Sequence, residues 1–265
     1  MKLADLPKGA VMIGMTDTAM PRLAMTHLVA VALHVAVAIA LLTVRPSANL
    51  LAPVQLSLNG SATEPFAAVD LAAAAAVVAL IAAVARLAVF VPVVRTRYVR
   101  GLREGRHGVR WIEYSQTAAI AAFLVAQMNG IVEAGTLILV YAMGAGAVLL
   151  LWLHDRSSEP GARGLLAFSI GTAIAIVPWG VIALHHVVGI FAGPAPSLLV
   201  RAATLALLLI AAAHWTNVWL DHQQRAVWST PLTAERVHIG LSVATSVTFL
   251  IVILLAPMAA TEGML

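Results

Sequence analysis

Glu113 lies just inside the stretch RWIEYSQTAAIAAFLVAQ, residues 110–127, whose remainder is apolar enough to form a long helix. A carboxylate in such surroundings pairs with a cation, takes up a proton, or helps to move one. The residue types that could serve it are few. At a rise of about 1.5 Å per residue, His27 and Glu113 fall near one end of their apolar runs. Arg86, His214 and His238 come from runs whose directions bring them to the same half, and His34 sits nearer the middle. With Tyr114, Ser115, Asn217 and Trp219 these residues make a candidate polar cluster, whereas the other half is almost wholly apolar. Each also has a plainer reading: Arg86 snorkels to the headgroups, Glu113 complements a helix start, and each histidine is a hydrogen-bonded core residue.

The elements that must position these side chains are membrane helices. Of 265 residues 61% are apolar and only 11% charged, a composition outside the range of water-soluble domains. The absence of cysteine excludes disulfides, a thiolate nucleophile and Cys-based metal sites. Residues 1–20 hold Lys2 and Lys8 but no apolar stretch leading to a small-residue cleavage site, so no removable signal peptide is expected. Seven runs are long enough to cross a bilayer: about 22–44, 66–94, 110–129, 135–153, 164–192, 197–220 and 233–257. An all-α seven-helix bundle in a single domain is the expected fold, in a prokaryotic plasma membrane.

Basic residues set its direction. Lys2, Lys8, Arg22 and the segments 95–110, 154–164 and 221–236 carry nearly all of them, and the opposite set holds only Arg45 and Arg201. By the positive-inside rule the N-terminus is cytoplasmic and the C-terminus outside. Clustering between apolar runs makes the +4 net charge a topology signal and not a nucleic-acid footprint. Between the first two spans, VQLSLNGS alternates apolar and polar residues into Asn59-Gly60, which predicts an outer β-hairpin over about 52–63. YAMGAGA, residues 141–147, offers small residues for close helix approach, and a homodimer is expected.

Several of these stretches together resemble the heliorhodopsins: His34 in the first span, RWIEYS opening the third, VPWGVI (177–182), NVWL (217–220) and ERVHIGLSVATS (235–246). The resemblance implies a retinal-binding seven-helix fold with a cytoplasmic N-terminus and an outer hairpin. It also implies a seventh-helix lysine that carries retinal as a Schiff base, with the third-helix glutamate, here Glu113, as counterion. By the spacing of LSVATS, Thr245 takes that lysine's position, and the chain's two lysines, Lys2 and Lys8, precede the first span. A hydroxyl cannot form the imine, so no covalent retinal is expected. Arg86 takes the place of a second-helix histidine and is the expected partner of Glu113, bidentate by preference, with His34 nearby.

Three functions follow as expectations. One is a light-independent receptor or scaffold that binds a cytoplasmic protein through loops 95–110 and 221–236. Another is a carrier or sensor holding a retinoid, carotenoid or haem without a covalent bond, in a pocket lined by Trp179, Trp215, Met143 and Ser242; His34 and His214 are the pair to consider for haem iron. The third is a proton or ion path through Glu113 and the histidines. No nucleophile with a base and no metal-ligand spacing appears, so no enzyme is expected.

Overall fold

The computed structural model describes residues 16–43, 50–57, 63–159, 164–193 and 196–261. Helix α1 (Thr16–Thr43) leads to a two-stranded antiparallel hairpin, β1 (Leu51–Ser57) and β2 (Thr63–Asp70), and then come α2 (Leu71–Ala88), α3 (Pro92–Arg103), α4 (Gly108–Met128), α5 (Ala134–Ser157), α6 (Leu166–Ala192), α7 (Leu198–Gln223) and α8 (Pro231–Thr261). Among the described residues six helices are long and apolar enough to cross a membrane: α1, α2, α5, α6, α7 and α8. The protein is therefore a multi-pass membrane protein. Helix α4 is 21 residues long, but Glu113, Ser115, Gln116 and Thr117 dilute its apolar character.

The expected span over 66–94 is corrected at both ends. Residues 66–70 belong to β2, and Asp70 caps α2 by accepting from the amides of Ala72 and Ala73 at 2.9 and 3.0 Å, a satisfied N-terminus that fixes where the helix starts. At the other end α2 stops at Ala88, and Pro92 opens a separate helix, α3, because proline suits a first turn better than a helix interior. Much of segment 95–110 is thus helical. The hairpin register runs from Leu51 opposite Asp70 to Ser57 opposite Thr63, with a shift between Val54 and Gln55; its expected Asn59-Gly60 turn lies outside the described residues. Gln55 donates its amide to the Val132 carbonyl at 2.8 Å, which fastens the hairpin to the loop before α5.

Small residues decide how closely the helices approach. On α2 the residues Ala72, Ala76, Ala79, Ala83 and Arg86 recur at spacings of three and four, and all are buried. That stripe packs against α1, α4 and α8. On α5, a Cβ at Gly144 would come 3.2 Å from the Ala119 backbone of α4, so Gly144 of YAMGAGA serves packing inside the protein, whereas Gly146 faces open space. Helix α4 ends in a Schellman turn: Ile131 donates to the Ala126 carbonyl and Gly130 to that of Gln127, with Gly130 at φ +82°, where glycine avoids the Cβ penalty. The apolar core fills the hairpin end of the bundle, with Val37, Leu41, Leu124 and Phe249 among its members.

Candidate functional site

Most of the buried polar residues gather at the other end, where α2 finishes and α8 begins. Because Arg86 is in register with the alanine stripe of α2, it points into the bundle and is 2% exposed; it does not snorkel. Its Nη2 donates to Glu113 Oε2 at 2.7 Å. Two further donors reach the same carboxylate: His238 Nε2 to Oε2 at 3.0 Å and Ser242 Oγ to Oε1 at 2.9 Å. Three donors satisfy the acceptor oxygens of a buried carboxylate.

The directions of the remaining bonds follow from proton counting. Ser242 has one hydroxyl proton, and it goes to Glu113. Its oxygen therefore accepts from His34 Nε2, 3.4 Å away, and a neutral His34 then accepts at Nδ1 from Ser246, 3.1 Å away. His34 thus meets Glu113 through Ser242 and not directly. Likewise a neutral His238 that donates from Nε2 has a bare Nδ1, so the proton shared with His214 Nδ1 at 3.3 Å belongs to His214. Tyr114 stacks on His214 with ring centroids 4.3 Å apart.

A second carboxylate adjoins the first. Glu235 Oε1 lies 3.9 Å from Arg86 Nη1 and accepts from the Tyr98 hydroxyl at 3.1 Å, whose oxygen in turn accepts from His27 Nε2 at 2.8 Å. Burial, and then the Glu235 charge, hold the Tyr98 hydroxyl far above its ordinary range, so it stays a donor. Beyond it, Arg110 Nη2 is 3.8 Å from Asp221, and His107 lies between Asp155 and Asp221 at 3.4 and 3.7 Å. Sequence reading passed over Glu235, Tyr98, Arg110, His107, Asp155 and Asp221. For Glu235 a signal was present: Glu235, His238, Ser242 and Thr245 are spaced three, four and three apart, which places them along one helix face.

Other expected members stand apart from the Glu113 cluster. Ser115 bonds back to the Ile112 carbonyl at 2.9 Å, since a residue two positions from Glu113 faces another way. Asn217 joins α7 to the start of α8, donating to the Ala234 carbonyl at 2.9 Å and accepting from Trp228 at 2.8 Å. Trp219 faces outward, 36% exposed. At the hairpin end, Asn129 links α4 to Thr204 and His186, each at 2.8 Å.

Beside the cluster is a cavity of about 70 Å³, bordered chiefly by α4, α5, α6, α7 and α8. That exceeds the roughly 10–15 Å³ one water needs, so there is room for a small ligand group or a few waters. Its lining is mostly apolar, with Pro178, Trp179 and Trp215 among it, and includes the polar Tyr114, His214, Ser242 and Thr245. Met143 is not in the lining, where Gly144 of the same helix stands. Nor is His34, whose two ring nitrogens are both engaged by serines. The His34 and His214 pair is therefore not set to face one iron, and no group of three metal-ligating side chains forms among the described residues.

A family model for heliorhodopsin matches residues 19–254. The chain belongs to the heliorhodopsin family. That family is not a known enzyme family, and comparison with curated proteins finds no match. The matched interval of this heliorhodopsin takes in the whole Glu113 network and the cavity beside it.

Proposed function

We propose that this heliorhodopsin is a light-independent membrane receptor or scaffold that does not carry retinal as a Schiff base. The observation that carries the reading is the Arg86 guanidinium on Glu113 at 2.7 Å, a permanent cation on the carboxylate that would otherwise answer a protonated imine. A covalent retinal needs an amine at the cavity wall, and the residues there do not fit it. Thr245 borders the cavity with a hydroxyl that donates to the Leu241 carbonyl at 3.0 Å, and both lysines of the chain, Lys2 and Lys8, precede α1. The reading includes α4 as a seventh span, a cytoplasmic N-terminus, a homodimer, and a cytoplasmic partner at the basic segments.

The test is reconstitution with all-trans retinal followed by borohydride. The expected outcome is an absorption band like that of free retinal and no retinal trapped on the protein; a red-shifted band with retinal trapped within residues 16–261 would overturn the reading. Thr245→Lys alone is expected to attach retinal poorly, because Arg86 repels a second cation beside Glu113, and Thr245→Lys with Arg86→His to attach it better. A second reading, a non-covalent retinoid or carotenoid, is favoured by the mostly apolar cavity with its few polar groups. An absorbance spectrum of protein from its native host tests it, a structured visible band being the supporting result.

A further inference from the structure

We infer that a groove between the start of α1 and helix α3 binds one anionic phospholipid. Helix α3 has a buried side, Tyr98 and Leu102, and an exposed side bearing Arg95, Arg97, Arg100 and Arg103. Among the described residues none of these four arginines forms an ion pair with a side chain, whereas Arg86 and Arg110 are both paired.

Two surface depressions meet at Arg95. One runs toward the membrane helices over an apolar floor of Leu23, Ala24, Val89 and Phe90, and the other runs along α3 past Val99, Arg100 and Arg103, with Glu104 its one acidic residue. The apolar half lies level with the last turn of α2 and the first turns of the α1 span, which begins at Met20. The cationic half therefore sits where hydrocarbon gives way to headgroups. This graded groove matches one molecule with an acyl chain at one end and a phosphate at the other. Amphipathic helices with arginine on the polar side lie in that interface and attract anionic lipid, and guanidinium forks bind phosphate oxygens in pairs. A soluble protein partner would engage the arginines but leave the apolar half, which faces acyl chains, unused.

The floor of the groove includes the rings of His27 and Tyr98, the same two that pass hydrogen bonds to Glu235. Lipid in the groove thus packs on the outer end of the buried charge network. This site does not depend on whether retinal is bound, so its test is separate from the one above.

Native mass spectrometry of the detergent-solubilised full chain, titrated with phosphatidylglycerol or phosphatidylcholine, reads the binding directly. The expected result is a single tightly held phosphatidylglycerol adduct, weakened at least about tenfold in Arg95→Gln/Arg100→Gln/Arg103→Gln, given the strength of arginine contacts with anionic lipid. The control Arg156→Gln/Arg225→Gln/Arg236→Gln removes as much charge from other exposed positions and is expected to bind as the parent does. Ala24→Trp, which fills the apolar half and keeps every arginine, is expected to weaken binding as well. Equal affinity for the two lipids, equal loss in both triple variants, undiminished binding in Ala24→Trp, or full competition by glycerol phosphate would each overturn the inference, the last by giving the site to a soluble phosphate.

Discussion

Arg86 and Glu113 are each costly alone in a membrane interior and tolerable together. Removing one strands the other's charge, typically at about 3–5 kcal/mol, while replacing both by apolar residues is often nearly neutral. Arg86→Met is therefore expected to lower thermal stability clearly, and Arg86→Met with Glu113→Leu to recover much of the loss. Recovery stays incomplete because Glu235 also faces Arg86, at 3.9 Å. Thermal unfolding of the two single variants and the double checks this. A double variant as damaged as the sum of the singles would mean that the two groups do not act as a pair. The single cation between two carboxylates was only half legible beforehand. Glu113 stood out because a long apolar run, residues 118–126, follows in the same helix, but Glu235 sits in the first turns of α8 beside Arg236, where a carboxylate is unremarkable until the chain folds.

At the scale of elements, helix ends are set by local chemistry. Glu133 caps α5 by accepting from Gly135 and Thr136 at 2.9 and 2.5 Å. The Thr136 amide first, then that of Gly135, holds its carboxyl below the ordinary range. A folded-state pKa below the unfolded one stabilises the protein at pH values above the unfolded value, about 4.3, and that contribution disappears as pH falls through the folded value. Glu133→Gln, which keeps an acceptor but loses the charge that the helix N-terminus favours, should lower the melting temperature at pH 7. The gap to the parent should narrow as pH falls below the ordinary glutamate value of about 4.3 and through the lower folded value; a gap that persists undiminished in acid would show that the charge is not what matters. The cap lies in NGIVEAG, which reads as a turn by its glycines. The end of α2 was harder to see, because RLAVFVPVV stays apolar through the break at Val89–Val91.

For the whole molecule the proposed direction in the bilayer has a direct test. Because the chain has no cysteine, single cysteines at the exposed positions 64 and 225 report it cleanly. With an impermeant maleimide on intact cells, Glu64→Cys on the hairpin is expected to label, and Arg225→Cys beyond α7 only after lysis; the reverse pattern would invert the proposed orientation. The sequence by itself determined that the protein lives in a membrane, that a hairpin follows the first span and that Glu113, Arg86 and several histidines lie inside, since these depend on composition and on periodicities along one chain. Only the tertiary structure decided that Arg86 turns inward, that Ser242 and His238 share Glu113 with it, that His34 and His214 do not face one site, and that Tyr98 joins Glu235 to His27. Those outcomes depend on the rotation of each helix about its axis, and rotation is decided where small residues such as Ala76, Ala79 and Gly144 let neighbouring backbones close in, a property of pairs of helices that no single stretch of sequence carries.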